Sequence, residues 1–119
     1  MSFILIYVTY ANRKSAQRIC TYLLKRRLIA CVNYFPIRSA SWWTGKVVEC
    51  DEVVSILKTR ERNWEKVRSE IKRLHPYQVP CIMKLHVKAN EEYERWIAQE
   101  TQGEKLMPAK RKNDRTKEK

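Results

Sequence analysis

The amino-acid sequence predicts an α+β fold: a βαββαβ sandwich with a long protruding hairpin between its second and third strands and a further helix at the C-terminal end. Three observations predict it. Phe3 to Tyr10 is an almost continuous apolar run rich in Ile, Val, Phe and Tyr. Two amphipathic helix patterns lie on either side of a hairpin, and each is followed by an apolar strand pattern. The third strand pattern runs for fourteen residues, Lys46 to Thr59, directly after a two-residue turn.

The elements follow in order. An unbroken apolar run such as Phe3 to Tyr10 describes a central strand covered on both faces. Asn12 is a helix cap, and Ala16, Ile19, Cys20, Leu23 and Leu24 recur at helical spacing, so the first helix is expected over 13–27. Ile29 to Tyr34 is the second strand, with a bulge or bend expected at Pro36, because proline cannot donate to a ladder. Ser39 to Trp43 resumes that strand, and Thr44-Gly45 turns it, with Gly45 as the expected positive-φ residue. Trp64, Val67, Ile71 and Leu74 mark the second helix, and Cys81 to Val87 the fourth strand. Asn90 is expected to cap the last helix, whose apolar side carries Tyr93, Trp96 and Ile97 and which Gly103 is expected to end. A split pair of βαβ units on an antiparallel sheet is the ferredoxin-like arrangement. That arrangement hosts many functions and implies none of them by itself.

The long strand has a consequence. Fourteen residues at about 3.3 Å each span roughly 46 Å. A compact body of this size is only about 34 Å across, from a radius of gyration near 13 Å. The hairpin must therefore protrude while carrying Trp42, Trp43, Val47, Val48, Val53 and Val54. A monomer would leave this ribbon open to water, so a homo-oligomer whose subunits cover one another's hairpins is expected.

Length places 1–102 in one domain, followed by a basic tail, 103–119, that shows no apolar period and is expected to be flexible and dispensable. The net charge is +12, of which the tail carries +4 and the domain +8. Such a balance attracts anions, but no RNA-recognition motif accompanies it, so no specific nucleic-acid partner is expected. With only Gly45 and Gly103, the chain has no glycine-rich phosphate loop. Cys20, Cys31, Cys50 and Cys81 form no C-x-x-C pair, which argues against a zinc ribbon. The short N-terminal apolar run lacks a basic leader, and no run approaches membrane-spanning length. A cytoplasmic location with reduced thiols and no membrane partner is expected. Few glycines, short loops and 32% charged residues point to high thermal stability.

The candidate site residues begin with His75-Pro76-Tyr77-Gln78-Val79-Pro80, a corner shaped by two prolines. His75 is either a metal ligand or a cation at the C-terminus of a helix, where the dipole favours one. Cys31 is a soft donor that suits copper, or an inert strand cysteine. Glu52 interrupts an apolar strand face and requires a partner; Lys58, six residues away on that face, is too distant, so a neighbouring subunit is the expected source. Trp43, Tyr77 and Trp96 either pack in the core and interface or line a ligand cleft. No Ser/His/Asp set or paired-carboxylate signature appears, so a non-enzymatic protein is expected.

The His75–Pro80 corner, Leu28-Ile29-Ala30-Cys31-Val32-Asn33 and Trp42-Trp43-Thr44-Gly45-Lys46 together resemble the CutA family of divalent-cation tolerance proteins, over residues 3 to about 101. The resemblance implies a homotrimer in which each hairpin extends across its neighbour. It implies a role in divalent-cation tolerance, with copper or another divalent cation, or a small ligand, bound weakly at subunit clefts and no cofactor required. It matches His75 to a histidine implicated in copper binding, Cys31 to a cysteine beside the subunit interface, Glu52 and Lys58 to an acidic and a basic position, and Trp43, Tyr77 and Trp96 to family aromatics. Two further ligand positions proposed in the family hold Val8 and Leu74 here, which cannot bind metal, and Ser41 stands where a tyrosine is usual. The alternative reading is a trimeric ligand-sensing module, similar in architecture to PII proteins, that acts through partner proteins.

Overall fold

The computed structural model describes residues 3–102. The expectations for the tail, and for Gly103 as a helix end, lie outside the described residues. The order is β1 (Phe3–Tyr10), α1 (Arg13–Lys25), β2 (Cys31–Trp43), β3 (Lys46–Arg60), a 3-10 turn (Glu61–Asn63), α2 (Trp64–Leu74), β4 (Ile82–His86) and α3 (Glu91–Glu100). The four strands form one antiparallel sheet in the order β2-β3-β1-β4, the ferredoxin-like arrangement. Central β1 pairs with β3 on one side and β4 on the other.

The period of two along β1 sends Ile4, Ile6, Val8 and Tyr10 to one face, all fully buried. That face meets Ala16, Ile19, Cys20 and Leu23 of α1 and Val67 and Ile71 of α2 in a single core. Tyr10 brings a polar group into it. The Tyr10 hydroxyl lies 2.8 Å from Ser55 Oγ and 3.5 Å from Cys20 Sγ, so the buried phenol is satisfied.

Asn12 caps α1 as expected, its Oδ1 accepting from the Ser15 amide at 2.8 Å. The helix stops at Lys25, two residues short of the expected end. Arg27 takes a left-handed φ of 59°, its N–H donates to the Leu24 carbonyl, and the Leu28 N–H donates to that of Leu23. These are the two bonds of a Schellman ending, closed by arginine where glycine is usual. Asn90 sits at the N-terminus of α3, but its side chain donates to Glu92 Oε1 instead of capping.

The bulge expected at Pro36 is absent. β2 runs unbroken, with Pro36 opposite Val53 in constant register. The physical reason is position: β2 is an edge strand, where proline does not interrupt a ladder on both sides. The hairpin turn takes positive φ at both residues, Thr44 (47°) and Gly45 (81°), as a type I′ turn demands.

The β1–β3 pairing ends at Tyr10 opposite Val53, so Lys46–Glu52 pair only with β2. The hairpin stands clear of the sandwich and gives the chain extents of 51 × 29 × 26 Å. Trp42 (74% exposed), Trp43, Val47 and Val48 lie bare along it. The second face of the sheet is also partly uncovered. α3 packs over one end, with Tyr93 edge-on to Phe3, and leaves Phe35, Met83 and Leu85 exposed.

Ile19→Ala removes a fully buried side chain shared by the helix and the sheet. We expect a loss of about 2–5 kcal/mol in chemical denaturation at fixed protein concentration. A loss below about 1 kcal/mol, the range of volume-conserving core swaps, would contradict this packing.

Candidate functional site

The site begins where α2 ends. Pro76 disfavours helical geometry in its predecessor, and His75 is extended at φ −75°, ψ 134°. This turns the imidazole inward. Its Nε2 lies 2.7 Å from the Thr9 carbonyl, which can only accept, so Nε2 carries the proton. Nδ1 accepts from the Tyr77 N–H at 3.1 Å. The ring stacks on Tyr10 at 5.1 Å and meets Tyr77 at 4.7 Å. Burial, aided by the Arg18 charge, holds the pKa of His75 below its usual value against the opposing pull of the Thr9 carbonyl and Glu52. Both ring nitrogens are engaged, so His75 can accept a metal only by giving up the bond to Tyr77.

That bond aims Tyr77 at the root of the hairpin. The Tyr77 hydroxyl donates to Glu52 Oε2 at 2.6 Å, and Ser39 Oγ donates to Glu52 Oε1 at 2.6 Å. The partner expected from a neighbouring subunit thus comes from the same chain, because the corner after α2 folds back onto β3. Burial and the Glu52 carboxylate push the Tyr77 phenol well above its usual pKa, and it stays a donor.

Around this carboxylate lies a cleft of about 560 Å³, walled by Thr9, Trp43, Cys50, Glu52, Tyr77 and Cys81 among others. None of its lining residues is Lys or Arg. Burial raises the Cys81 thiol, so it is protonated at neutral pH.

The structure therefore brings together three expected residues, Trp43, Glu52 and Tyr77, with His75 behind them. It separates the other three. Lys58 bonds to Asn33 and lies 3.8 Å from Cys31 Sγ, so Cys31 and Lys58 form their own pair opposite each other on β2 and β3. Cys31 is four residues along β2 from Phe35, the residue level with Thr9, a separation of about 13 Å. Trp96 stacks on Tyr93 at 5.7 Å at the far end of the sheet. Sequence reasoning did not select Ser39, Cys50 or Cys81 for the site. The hairpin register held a signal for the first two, since a two-residue turn at Thr44-Gly45 sets Ser39 opposite Cys50. Among the described residues, no three or more His, Cys, Asp or Glu side chains gather to hold a metal ion, and no helix is long and apolar enough to cross a membrane.

Fold and site together define a ferredoxin-like α+β protein with an over-long hairpin and an acidic, aromatic cleft at its root. The profile of the CutA1 divalent ion tolerance proteins matches residues 4–100, and the chain belongs to this family. It is similar to the divalent-cation tolerance protein CutA of Pyrococcus horikoshii, with 46% identity over 82% of this chain and 97% of that protein. The CutA of Thermotoga maritima is 42% identical over 79% of this chain and 94% of its own. A solved structure of the periplasmic divalent cation tolerance protein CutA from Archaeoglobus fulgidus superposes with a TM-score of 0.82 at 38% identity, covering 84% of this chain and 99% of that one.

The lowered pKa of His75 yields a pH dependence. A group whose native pKa lies below the unfolded value of 6.5 leaves stability unaffected above that value and costs stability as pH falls from it towards the native value. We expect the melting temperature to fall between pH 7 and pH 5.5, and to fall less in His75→Gln. A wild-type curve that is flat or rises towards acid over this range would contradict the neutral, buried imidazole.

Proposed function

We propose that the chain is a non-enzymatic homotrimer that serves divalent-cation tolerance by binding a metal ion or small cationic ligand weakly at clefts between its subunits. One observation carries the reading of the site. In a chain of net charge +12, the cleft at the hairpin root presents a carboxylate and no lysine or arginine. Cations are therefore favoured there over anions, and Cys50 and Cys81 add softer donors to the same walls. The family membership supports the cation class, since its relatives carry the name of divalent-cation tolerance.

Assembly is supported by the bare apolar surface. Burying Trp42, Trp43, Val47, Val48 and Phe35 would contribute on the order of 10 kcal/mol before the costs of association. Binding is weak because Glu52 already accepts two hydrogen bonds within its own chain. The four free thiols suit the reducing cytosol.

Light scattering coupled to size exclusion should give about three times 14.3 kDa, and Trp43→Ala should lower the trimer fraction. A monodisperse wild-type monomer would contradict the assembly. Copper heads the divalent affinity order, so calorimetry with copper(II) is the sensitive probe. We expect micromolar or weaker binding that Glu52→Gln reduces directly. His75→Ala should reduce it by releasing Tyr77. His86, exposed and 2.7 Å from a Glu61 carboxylate oxygen, is the control for adventitious binding. Copper binding lost in His86→Ala and kept in Glu52→Gln would contradict the cleft.

A further inference from the structure

The excess positive charge of the domain is not spread over its surface. Residues 13–27 and 61–74, which build α1, α2 and the turns beside them, hold eleven Lys/Arg against three carboxylates, a net +8. The rest of residues 1–102 balances, seven against seven. The two-helix layer therefore carries the whole excess.

The three carboxylates leave most of that charge uncompensated. Glu61 is turned to β4, where it meets Lys84 at 2.8 Å and His86 at 2.7 Å. Glu65 pairs with Arg68 at 2.8 Å, and Glu70 pairs with Arg73 at 2.6 Å and with Lys66 at 4.0 Å. Arg13, Lys14, Arg18, Lys25, Arg62 and Lys72 are all exposed and have no carboxylate partner among the described residues. The two helices are also clamped together. The Tyr22 hydroxyl on α1 donates to Glu70 on α2 at 2.7 Å. Arg26, the residue that follows α1, and Arg73 of α2 lie over the Tyr22 ring at 5.4 and 5.8 Å. Two adjacent hydrogen-bond donors and the Arg73 charge hold the Glu70 carboxyl at about 2, so this clamp stays ionised at any physiological pH.

From Arg13 to Lys25 the row of cations runs about 18 Å along α1. Duplex nucleic acid presents roughly ten phosphates over that length. The apolar sides of both helices are consumed by the core, and every exposed large hydrophobic side chain of the described residues lies on the strands or at Val79. A membrane-surface helix needs a free apolar face to bury in lipid, and neither helix has one. The unpaired cations, three of them arginines, suit phosphate oxygens, contacts that fix position and carry no sequence information.

We propose that the outward face of α1 and α2 binds the phosphate backbone of nucleic acid without regard to sequence. This surface is separate from the cleft, and its test does not depend on cation binding. Fluorescence anisotropy of the full chain with a labelled 20-base-pair DNA duplex, titrated between 50 and 200 mM salt, reads it directly. We expect log K to fall linearly with log salt, with a slope of about −4 to −5 for five contacts, and two unrelated duplexes to bind within threefold of each other. Neutralising Arg13, Arg18, Lys25 and Lys72 to Gln together should weaken binding at least tenfold at 50 mM salt and make the slope shallower by about 3 to 4. Lys88→Gln with Arg95→Gln, on the balanced part of the domain, should change neither; circular dichroism and mass in solution verify that both variants fold. Three results would each overturn the proposal. They are no binding by the wild type at 50 mM salt, an unchanged affinity and slope in the fourfold variant, and binding to vesicles of 30% phosphatidylserine in phosphatidylcholine that is equal to or tighter than to DNA.

Discussion

β3 is 15 residues long, and β1, which flanks it, has 8. The rest of the molecule follows from that mismatch. The half of β3 that pairs with β1 completes a sheet whose helix side is a conventional core. The other half pairs only with β2 and projects from the body with its apolar side chains bare. A two-stranded ribbon in water is marginal on its own. Its bare apolar side chains suit the partner surface that the proposed assembly would supply, and the uncovered face of the sheet is a surface of matching character on the same chain.

The cleft forms at the point where the mismatch begins. Glu52 is the first residue of β3 beyond the reach of β1, where a carboxylate can sit beside an apolar sheet without entering the core. The corner after α2 closes over this point. His75 ties the corner to the end of β1 through the Thr9 carbonyl and passes the constraint to Tyr77, which bonds Glu52. A buried histidine fixed in one tautomer between two backbone groups is a positioning device. It holds the phenol and the carboxylate in register while leaving their cleft open.

Much of this architecture was legible in the sequence, because apolar periods set the elements and strand length set the protrusion. Asn12 was readable as a cap because a side-chain oxygen in that place has one effective use. The end of α1 was not readable, because a Schellman turn normally advertises itself by glycine and here uses Arg27. Pro36 signalled a break because a lone sequence does not distinguish an edge strand from an interior one. At the site, His75 and Tyr77 were visible as a corner, but their targets were not. Thr9 is 66 residues from His75 and Glu52 is 25 from Tyr77, separations that only the fold closes. The concentration of charge on one layer was present in the composition and became meaningful only once α1 and α2 were seen to share a face.

On the proposed assembly, the hairpin is a folded element completed by other copies of the chain. Hydrogen exchange of the backbone amides across Ser39–Cys50, followed as protein concentration is lowered, tests it most directly. We expect strong protection at high concentration, comparable to that of the β1–β3 ladder, and its loss on dilution before the ladder itself opens. Rapid exchange of these amides at every concentration, or protection that does not change on dilution to a proven monomer, would contradict it.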